Sequence, residues 1–249
     1  MEIKRRNFQG VLNILSFNRH FYVVGFILLA LIIGSKYIFN WPDSLYLLVV
    51  LAFIYGLTMP LFVSAYVYDF SGFYNFDWLK KMKIEDTKDK FNLNINAGFD
   101  ETSFIIESIL SQSNLQVYDF YNAKQHTEPA IIRARKVSLV YPNTQQINSN
   151  SIPLNDNSVD NIFLLSAIHE IRRQDEKVQF LKECRRVCKS NGNVIMVEHL
   201  RDFPNFAAFT IGFMHFFSKT TWEKAFEEAG FTSFKETKFT PFMSIFNCN

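Results

Sequence analysis

The chain has 249 residues, a formal net charge of +2 and an aromatic share of 16%, with 28 Phe among them. That length holds one sizeable α/β domain with chain to spare. The nearly balanced charge, with no basic stripe interleaved with aromatics, argues against nucleic-acid binding.

Residues 1–20 form a basic N-terminus carrying Lys4, Arg5, Arg6 and Arg19. Two mostly apolar runs follow, Phe21–Phe39 with Lys36 as its only charge and Leu45–Tyr68 with none. Each is long enough to cross a hydrocarbon core of ~30 Å at ~1.5 Å per residue. Asn40-Trp41-Pro42-Asp43 makes a tight polar turn with an interfacial Trp, and Lys36 can snorkel to that interface. Pro60 kinks the second run, which neighbouring helices tolerate in lipid. Basic residues precede the first run and, as Lys80, Lys81 and Lys83, follow the second, while the turn has none. Residues 21–68 therefore read as a transmembrane helical hairpin, multi-pass in the cytoplasmic (inner) membrane with both termini cytoplasmic. The first run lacks a small-residue cleavage site, so a signal peptide fits badly. The competing reading is a buried helical hairpin of a soluble protein. Residues 69–87, with mixed aromatics and lysines, read as an interfacial connector.

Residues 88–249 alternate between strand and helix patterns. Strands are expected at Asn92–Ile95, Val117–Phe120, Thr144–Asn148, Val159–Ser166 and Asn193–Glu198. Helices are expected at Glu101–Leu110, Glu128–Lys136 with Pro129 in its first turn, Asp175–Cys188 and Thr220–Ala229. Gly192 is expected to cap the third of these helices and Gly230 the fourth. Phe231–Thr240 and Phe242–Asn247 close the sheet as a hairpin. The fold class is α/β, a Rossmann-like, doubly wound, mostly parallel seven-stranded sheet preceded by the transmembrane hairpin. In such sheets the ligand lies beyond the carboxyl ends of the strands. Asp119 ends the second strand about 20 residues beyond the first loop, where a dinucleotide-type site places its ribose-binding acid.

Cys184 and Cys188 lie four apart on a predicted helix and share a face. No further Cys or His stands nearby at ligand spacing, so the pair reads as core residues of a reducing compartment and no metal site is expected. Cys248 reads as a tail residue without a role.

Several segments in order resemble class I S-adenosylmethionine-dependent methyltransferases of the small-molecule group called type 11. Ile152–Asp160 is similar to the run "LPFPDNSFD" before the fourth strand, and Phe180–Gly192 to "hLxEhxRVLKPGG". Val197–Asp202 is similar to "vEHxRD", and Glu227–Phe231 to "xEAGF". The similarity runs from about Phe91 to the C-terminus. It departs in the first loop, where Asn94, Asn96, Gly98 and Asp100 stand at the places of "DhGxGxG" and one glycine of three remains. Asn148 stands where the family carries an acid.

The resemblance implies S-adenosylmethionine as cofactor. It assigns Asn94, Asn96, Gly98 and Asp100 to the methionine end and Asp119, with Phe120 beside it, to the ribose. Asn148 and Ser149 fall to the adenine, and Ser166 lies at the end of the fourth strand. His169 and Glu170, and also His199, lie near the transferred methyl as candidate general bases, since an ordinary histidine titrates near neutrality. Methyl transfer often needs little beyond an in-line nucleophile. Phe203–Phe217 lies where these enzymes build a substrate lid and carries six Phe. Together with the hairpin it points to a hydrophobic acceptor (lipid, quinone, polyene or phenolic) drawn from the bilayer, with partner enzymes of a biosynthetic pathway nearby. The alternative is a non-catalytic methyltransferase-fold scaffold or binding protein at the membrane. A nicotinamide-dependent oxidoreductase is disfavoured because it would keep three glycines in the loop.

Overall fold

The computed structural model describes residues 5–82 and 84–249, so Lys4 and Lys83 lie outside the described residues. Seven strands form one sheet: β1 (Phe91–Asn96), β2 (Asn114–Asp119), β3 (Gln145–Gln146), β4 (Val159–Leu165), β5 (Cys188–His199), β6 (Phe234–Thr240) and β7 (Met243–Cys248). Their order is β3-β2-β1-β4-β5-β7-β6, parallel except for the β7 and β6 pairings. The strand order reverses between β1 and β4, which sets the ligand crevice at the carboxyl ends of those two strands. The expected third strand shrinks to two residues at the exposed sheet edge.

All seven residues of β4 are buried, as a central parallel strand covered on both faces requires. One face packs Ile162 and Leu164 against α7 (Gln174–Val187) and α9 (Lys219–Ala229). The other packs Phe163 and Leu165 against α5 (Ser103–Ile109) and a segment containing Phe73, Phe76, Trp78 and Leu79. The stretch expected as an interfacial connector thus also packs on the sheet. A π-helical turn (Ala65–Phe70) and α4 (Asp77–Lys80) help to cover the second face, because that face offers apolar side chains that must be buried.

A row of buried amides crosses the sheet near its other end. Asn161 Nδ2 donates to Asn92 Oδ1 at 2.8 Å, Asn193 Nδ2 to Asn161 Oδ1 at 3.0 Å, and Asn247 Nδ2 to Asn193 Oδ1 at 3.3 Å. Asn92 Nδ2 donates on to Ser113 Oγ at 2.6 Å. The row joins four strands in one register and satisfies polar groups that the core would otherwise penalise.

Three sequence expectations change here. Gly192 does not cap a helix, because α7 ends at Val187 and the chain turns directly into β5. Its hydrogen faces the sheet instead, where a Cβ would sit 2.6 Å from the Asp160 carbonyl oxygen. Cys188 accordingly opens β5 rather than ending the helix. Cys248 is no tail residue, since it pairs with Val194 and Phe234 and is fully buried. All three thiols are free, and burial pushes each pKa up, which suits inert core residues.

Ahead of the sheet lie α1 (Gln9–Phe17), α2 (Arg19–Ser35) and α3 (Asp43–Ser64). The helical stretch Asp43–Asn75 is long and apolar enough to cross a membrane. The α2 helix reaches that criterion only together with α1, and the two meet at a 77° bend. Residues 9–17 of the basic N-terminus form the helix α1. Phe17 is buried and meets Phe99 edge-to-face, so α1 docks on the domain.

Lys177 on α7 is fully buried, and its Nζ has no hydrogen-bond partner. It sits 3.2 Å from the centroid of the Phe217 ring and 4.8 Å from that of Trp222. Burial, with Arg172 nearby, lowers its pKa from 10.5 to about 8. The unfolded chain therefore holds more protons between those values, and stability rises with pH across that window. Below pH 8 the full cost is present. Lys177→Met should stabilise the protein at pH 7 by about 1–3 kcal/mol and abolish the rise between pH 8 and 10. Thermal unfolding at the two pH values checks this, and a lowered midpoint in the variant would show that the cation–π contacts dominate.

Candidate active site

The first loop is held by its own side chains. Asn94 Nδ2 donates to Ser103 Oγ at 2.7 Å and Thr102 Oγ1 at 3.2 Å. Asn96 Oδ1 accepts from the Gly98 N–H at 2.7 Å, a turn closed by a side chain rather than by glycine. Asp100 Oδ1 accepts from the Thr102 and Ser103 N–H groups at 3.0 and 2.9 Å, at the start of α5. Gly98 has φ +80°, the left-handed conformation that favours its residue type.

Asp119, at the end of β2, is engaged. Its Oδ1 accepts from the Tyr121 N–H at 2.8 Å, and its Oδ2 from Arg135 Nη1 at 2.7 Å. Arg135 ends α6 (Pro129–Arg135), and its guanidinium lies over the Tyr121 ring, 4.0 Å from the centroid. It also fills the space above Gly98 so closely that a Cβ there would overlap it. The acid expected to accept ribose hydroxyls is therefore paired with a residue absent from the sequence prediction. Phe120 is buried against Phe180 and lines a cavity of ≈ 390 Å³ that Asn148 and Ser149 also line. Ser149 Oγ donates to Glu176 at 2.6 Å, and Asn148 Oδ1 accepts from the Asn150 N–H at 3.2 Å.

A second cavity of ≈ 450 Å³ lies at the carboxyl ends of β1, β4 and β5, within the size range of small-molecule sites. Ala97, Ser166 and His169 line one side, while Phe17 of α1, Pro60 of α3 and Phe216 line the other. Arg135 Nη1 lies 3.3 Å from the Ala97 carbonyl oxygen, so the guanidinium touches residues of both cavities. Among the described residues Asn94 Oδ1, Asn96 Nδ2, Asp100 Oδ2 and Ser166 Oγ are buried without partners, and of these four residues Ser166 lines the larger cavity while Asn94, Asn96 and Asp100 line neither. Ser166 has φ +50°, a conformation uncommon for a serine and enriched at functional sites.

The expected general bases occupy different states. Burial disfavours a charge on His169, but Glu198, 2.7 Å from Nδ1, and Glu170 outweigh it and raise the pKa to about 9. At neutral pH His169 is thus an imidazolium, not a ready base. Burial lowers the His199 pKa to about 4, so this ring is neutral. Its Nδ1 faces the Phe242 carbonyl at 2.9 Å and Asn205 Oδ1 at 3.1 Å, and its Nε2 faces the Tyr68 hydroxyl at 2.8 Å. With both nitrogens occupied, His199 positions β5 against the segment that follows α3.

The sequence prediction also missed the knot at Glu101. Its Oε2 accepts from the Tyr74 hydroxyl at 2.6 Å and pairs with Arg5 at 2.9 Å, while Oε1 accepts from Asn13 at 3.2 Å. It fastens α1 and the stretch after α3 over the loop. Only the apolar spacing of Leu12, Ile14 and Phe17 hinted that this segment would dock. In Phe203–Phe217, α8 (Phe203–Phe209) and a 3-10 turn (Thr210–His215) form the lid. Phe209 and Phe216 face the cavity, whereas Phe203, Phe206, Ile211 and Met214 are exposed.

Residues 108–196 match the family model described as a methyltransferase domain. No curated protein is a significant sequence match. Among solved structures, a S-adenosylmethionine-dependent methyltransferase from Aquifex aeolicus superposes with TM-score 0.51 at 20% identity, covering 72% of this chain and 93% of its own. A candidate O-methyltransferase from Nostoc punctiforme gives TM-score 0.55 at 14% identity, covering 95% and 71%. Human N-acetylserotonin methyltransferase, solved with S-adenosylmethionine, gives 0.50 at 13%, covering 77% and 55%. Residues 108–196 thus match a methyltransferase domain, and the fold is the one shared by these S-adenosylmethionine-dependent methyltransferases.

For Asp119 to accept ribose hydroxyls, Arg135 must swing away. Arg135→Ala should therefore tighten S-adenosylmethionine binding roughly tenfold, while Asp119→Ala weakens it at least tenfold. Calorimetry on detergent-solubilised protein measures both. Equal affinity in all three proteins would place the ribose elsewhere.

Proposed function

We propose that this chain is a membrane-associated methyltransferase acting on a hydrophobic small molecule drawn from the bilayer. The observation that carries the reading is the composition of the larger cavity. One wall is the carboxyl edge of the methyltransferase sheet, and the other includes Pro60 and Tyr68 from the apolar helix and the turn after it. Outward-facing apolar residues run along both helices, among them Phe26 and Leu31 on α2 and Leu48 and Phe62 on α3. The lid continues this surface, since the Tyr55 hydroxyl of α3 donates to the Ala207 carbonyl of α8 at 2.6 Å. Exposed Phe203, Phe206, Ile211 and Met214 extend it past the helices. Contiguous apolar surface of this kind favours a membrane interface. With residues 21–68 in the inner membrane and both termini cytoplasmic, an apolar acceptor enters the cavity without crossing water.

When bound, S-adenosylmethionine supplies an electrophilic methyl group. The loop Asn94–Asp100, Ser166 and, once released, Asp119 would hold it. Phe209 and Phe216 exclude water above, and His199, fixed by Tyr68 and Asn205, keeps the β5 end in place. Orienting a nucleophile in line supplies much of the rate without a strong base. The Arg135–Asp119 pair and the reduced glycine content of the first loop favour a non-catalytic scaffold instead.

Incubating membranes that contain the protein with methyl-labelled S-adenosylmethionine should place label in the organic-soluble fraction. Arg135→Ala should increase that label and Asp119→Ala should remove it. The protein should also remain in the membrane after alkaline extraction. Absence of label with both the wild type and Arg135→Ala, alongside intact cofactor binding, would favour the scaffold.

A further inference from the structure

His169 and Glu170, on the turn after β4, meet His215, on the turn after α8, at the wall of the larger cavity. One donor atom from each lies within 4.8 Å of the others. His169 Nε2 is 3.6 Å from Glu170 Oε1. Two ligands of a tetrahedral Zn²⁺, at bond lengths of ~2.0–2.1 Å, sit about 3.3 Å apart, so a small shift would close the site.

The surroundings are those of ligating histidines. His169 Nδ1 is held by Glu198 at 2.7 Å, and His215 Nδ1 by Glu128 at 2.9 Å. A carboxylate behind each ring fixes its orientation, and a metal ion that displaces the Nε2 proton of His169 would bind at that atom. Arg172 Nη1 donates to the His169 and His215 carbonyls at 3.2 and 2.6 Å, clamping the two turns together. Glu128, Glu170 and Glu198 bring three carboxylates to the cluster, against Arg172 and the His169 ring. A lid clasp would explain the Glu128–His215 and Glu198–His169 pairs. It does not explain Glu170, which is buried and makes no side-chain hydrogen bond among the described residues, its polar neighbour being His169 Nε2. Glu170 lines the cavity, so its carboxylate is open to a cation on that side.

We propose that His169, Glu170 and His215 form a divalent-metal site of the two-histidine, one-carboxylate type, suited to Zn²⁺, whose remaining positions face the cavity. The metal site stands on these contacts, and its use rests on the methyltransferase reading: an open position takes an oxygen donor of the acceptor, a hydroxyl or phenol, and holds it beside the cofactor. The expectation of no metal rested on the surroundings of Cys184 and Cys188, and His215 lies too far along the chain from His169-Glu170 for ligand spacing to join them.

The test is Co²⁺ and Zn²⁺ binding to the full-length, detergent-solubilised protein after chelator treatment. One equivalent should bind at micromolar or lower concentration, and Co²⁺ should give visible absorption bands. His215→Asn, on a partly exposed turn where folding is not at risk, and Glu170→Gln should each weaken binding at least about 100-fold. Glu128→Gln should weaken it about 10-fold. Zn²⁺ should raise the unfolding midpoint of the wild type and not that of His215→Asn. Lack of binding at about 1 mM Co²⁺, or equal binding in both ligand variants, overturns the site. Metal binding by a protein that transfers no methyl group supports the site and overturns the proposed function instead.

Discussion

Three carboxylates at the carboxyl edge of the sheet, Glu101, Asp119 and Glu198, are withdrawn from water, and much of the architecture around the site answers that cost. A buried or half-buried carboxylate is tolerated only when it is paired and hydrogen-bonded. Glu101 draws Arg5, Asn13 and Tyr74 onto the loop. Asp119 draws Arg135 from α6. Glu198, 1% exposed, takes both the backbone N–H and the ring of His169. Each partner comes from outside the central strands, so meeting the charge also fixes the elements that wall the cavity.

The same contacts couple the apolar helices to the catalytic fold. Tyr68 belongs to the turn that continues α3, and its hydroxyl is bound to His199 at the end of β5. Val63 and Val67 share a core with Phe163 and Ile195 of the sheet. The helix is therefore not a tether joined by a flexible linker. It enters the fold as a packed layer, and displacement of its lower end would move a wall of the cavity.

The sheet was largely legible in the sequence. Ile162–Leu165 and Val194–Val197 announce buried strands by their apolar runs, and Gly230 does end α9, at φ +87°. Legibility failed where a residue's role depends on a distant partner. Arg135 reads as an ordinary charge in the last turn of a helix until the fold sets it beside Asp119. Gly192 resembles a helix cap by local chemistry, but close approach to the Asp160 carbonyl decides its place. Cys248 is near the end of the chain yet at the centre of the sheet pairing, because the final hairpin inserts β7 between β5 and β6. Tyr68 and His199, 131 positions apart, could not be joined by any local pattern.

The first loop shows how a motif can change letters and keep its geometry. Glycines in such a loop permit positive φ and close approach of the backbone to a ligand. Here the one conformation that needs glycine falls at Gly98, and that residue is retained. The neighbouring turns are closed by Asn96 and Asp100 side chains, which accept backbone N–H groups that would otherwise lack partners. The substitution has a further effect. Asn96 and Asp100 each keep a buried polar atom without a partner, so the loop gains hydrogen-bonding capacity where a row of glycines offers only backbone. With Arg135 seated over Gly98, that capacity is screened from the adenosine side until the guanidinium moves. The loop and the arginine form one arrangement: a loop stiffened by its own side chains, with a guanidinium that pairs with Asp119 and lies over Gly98.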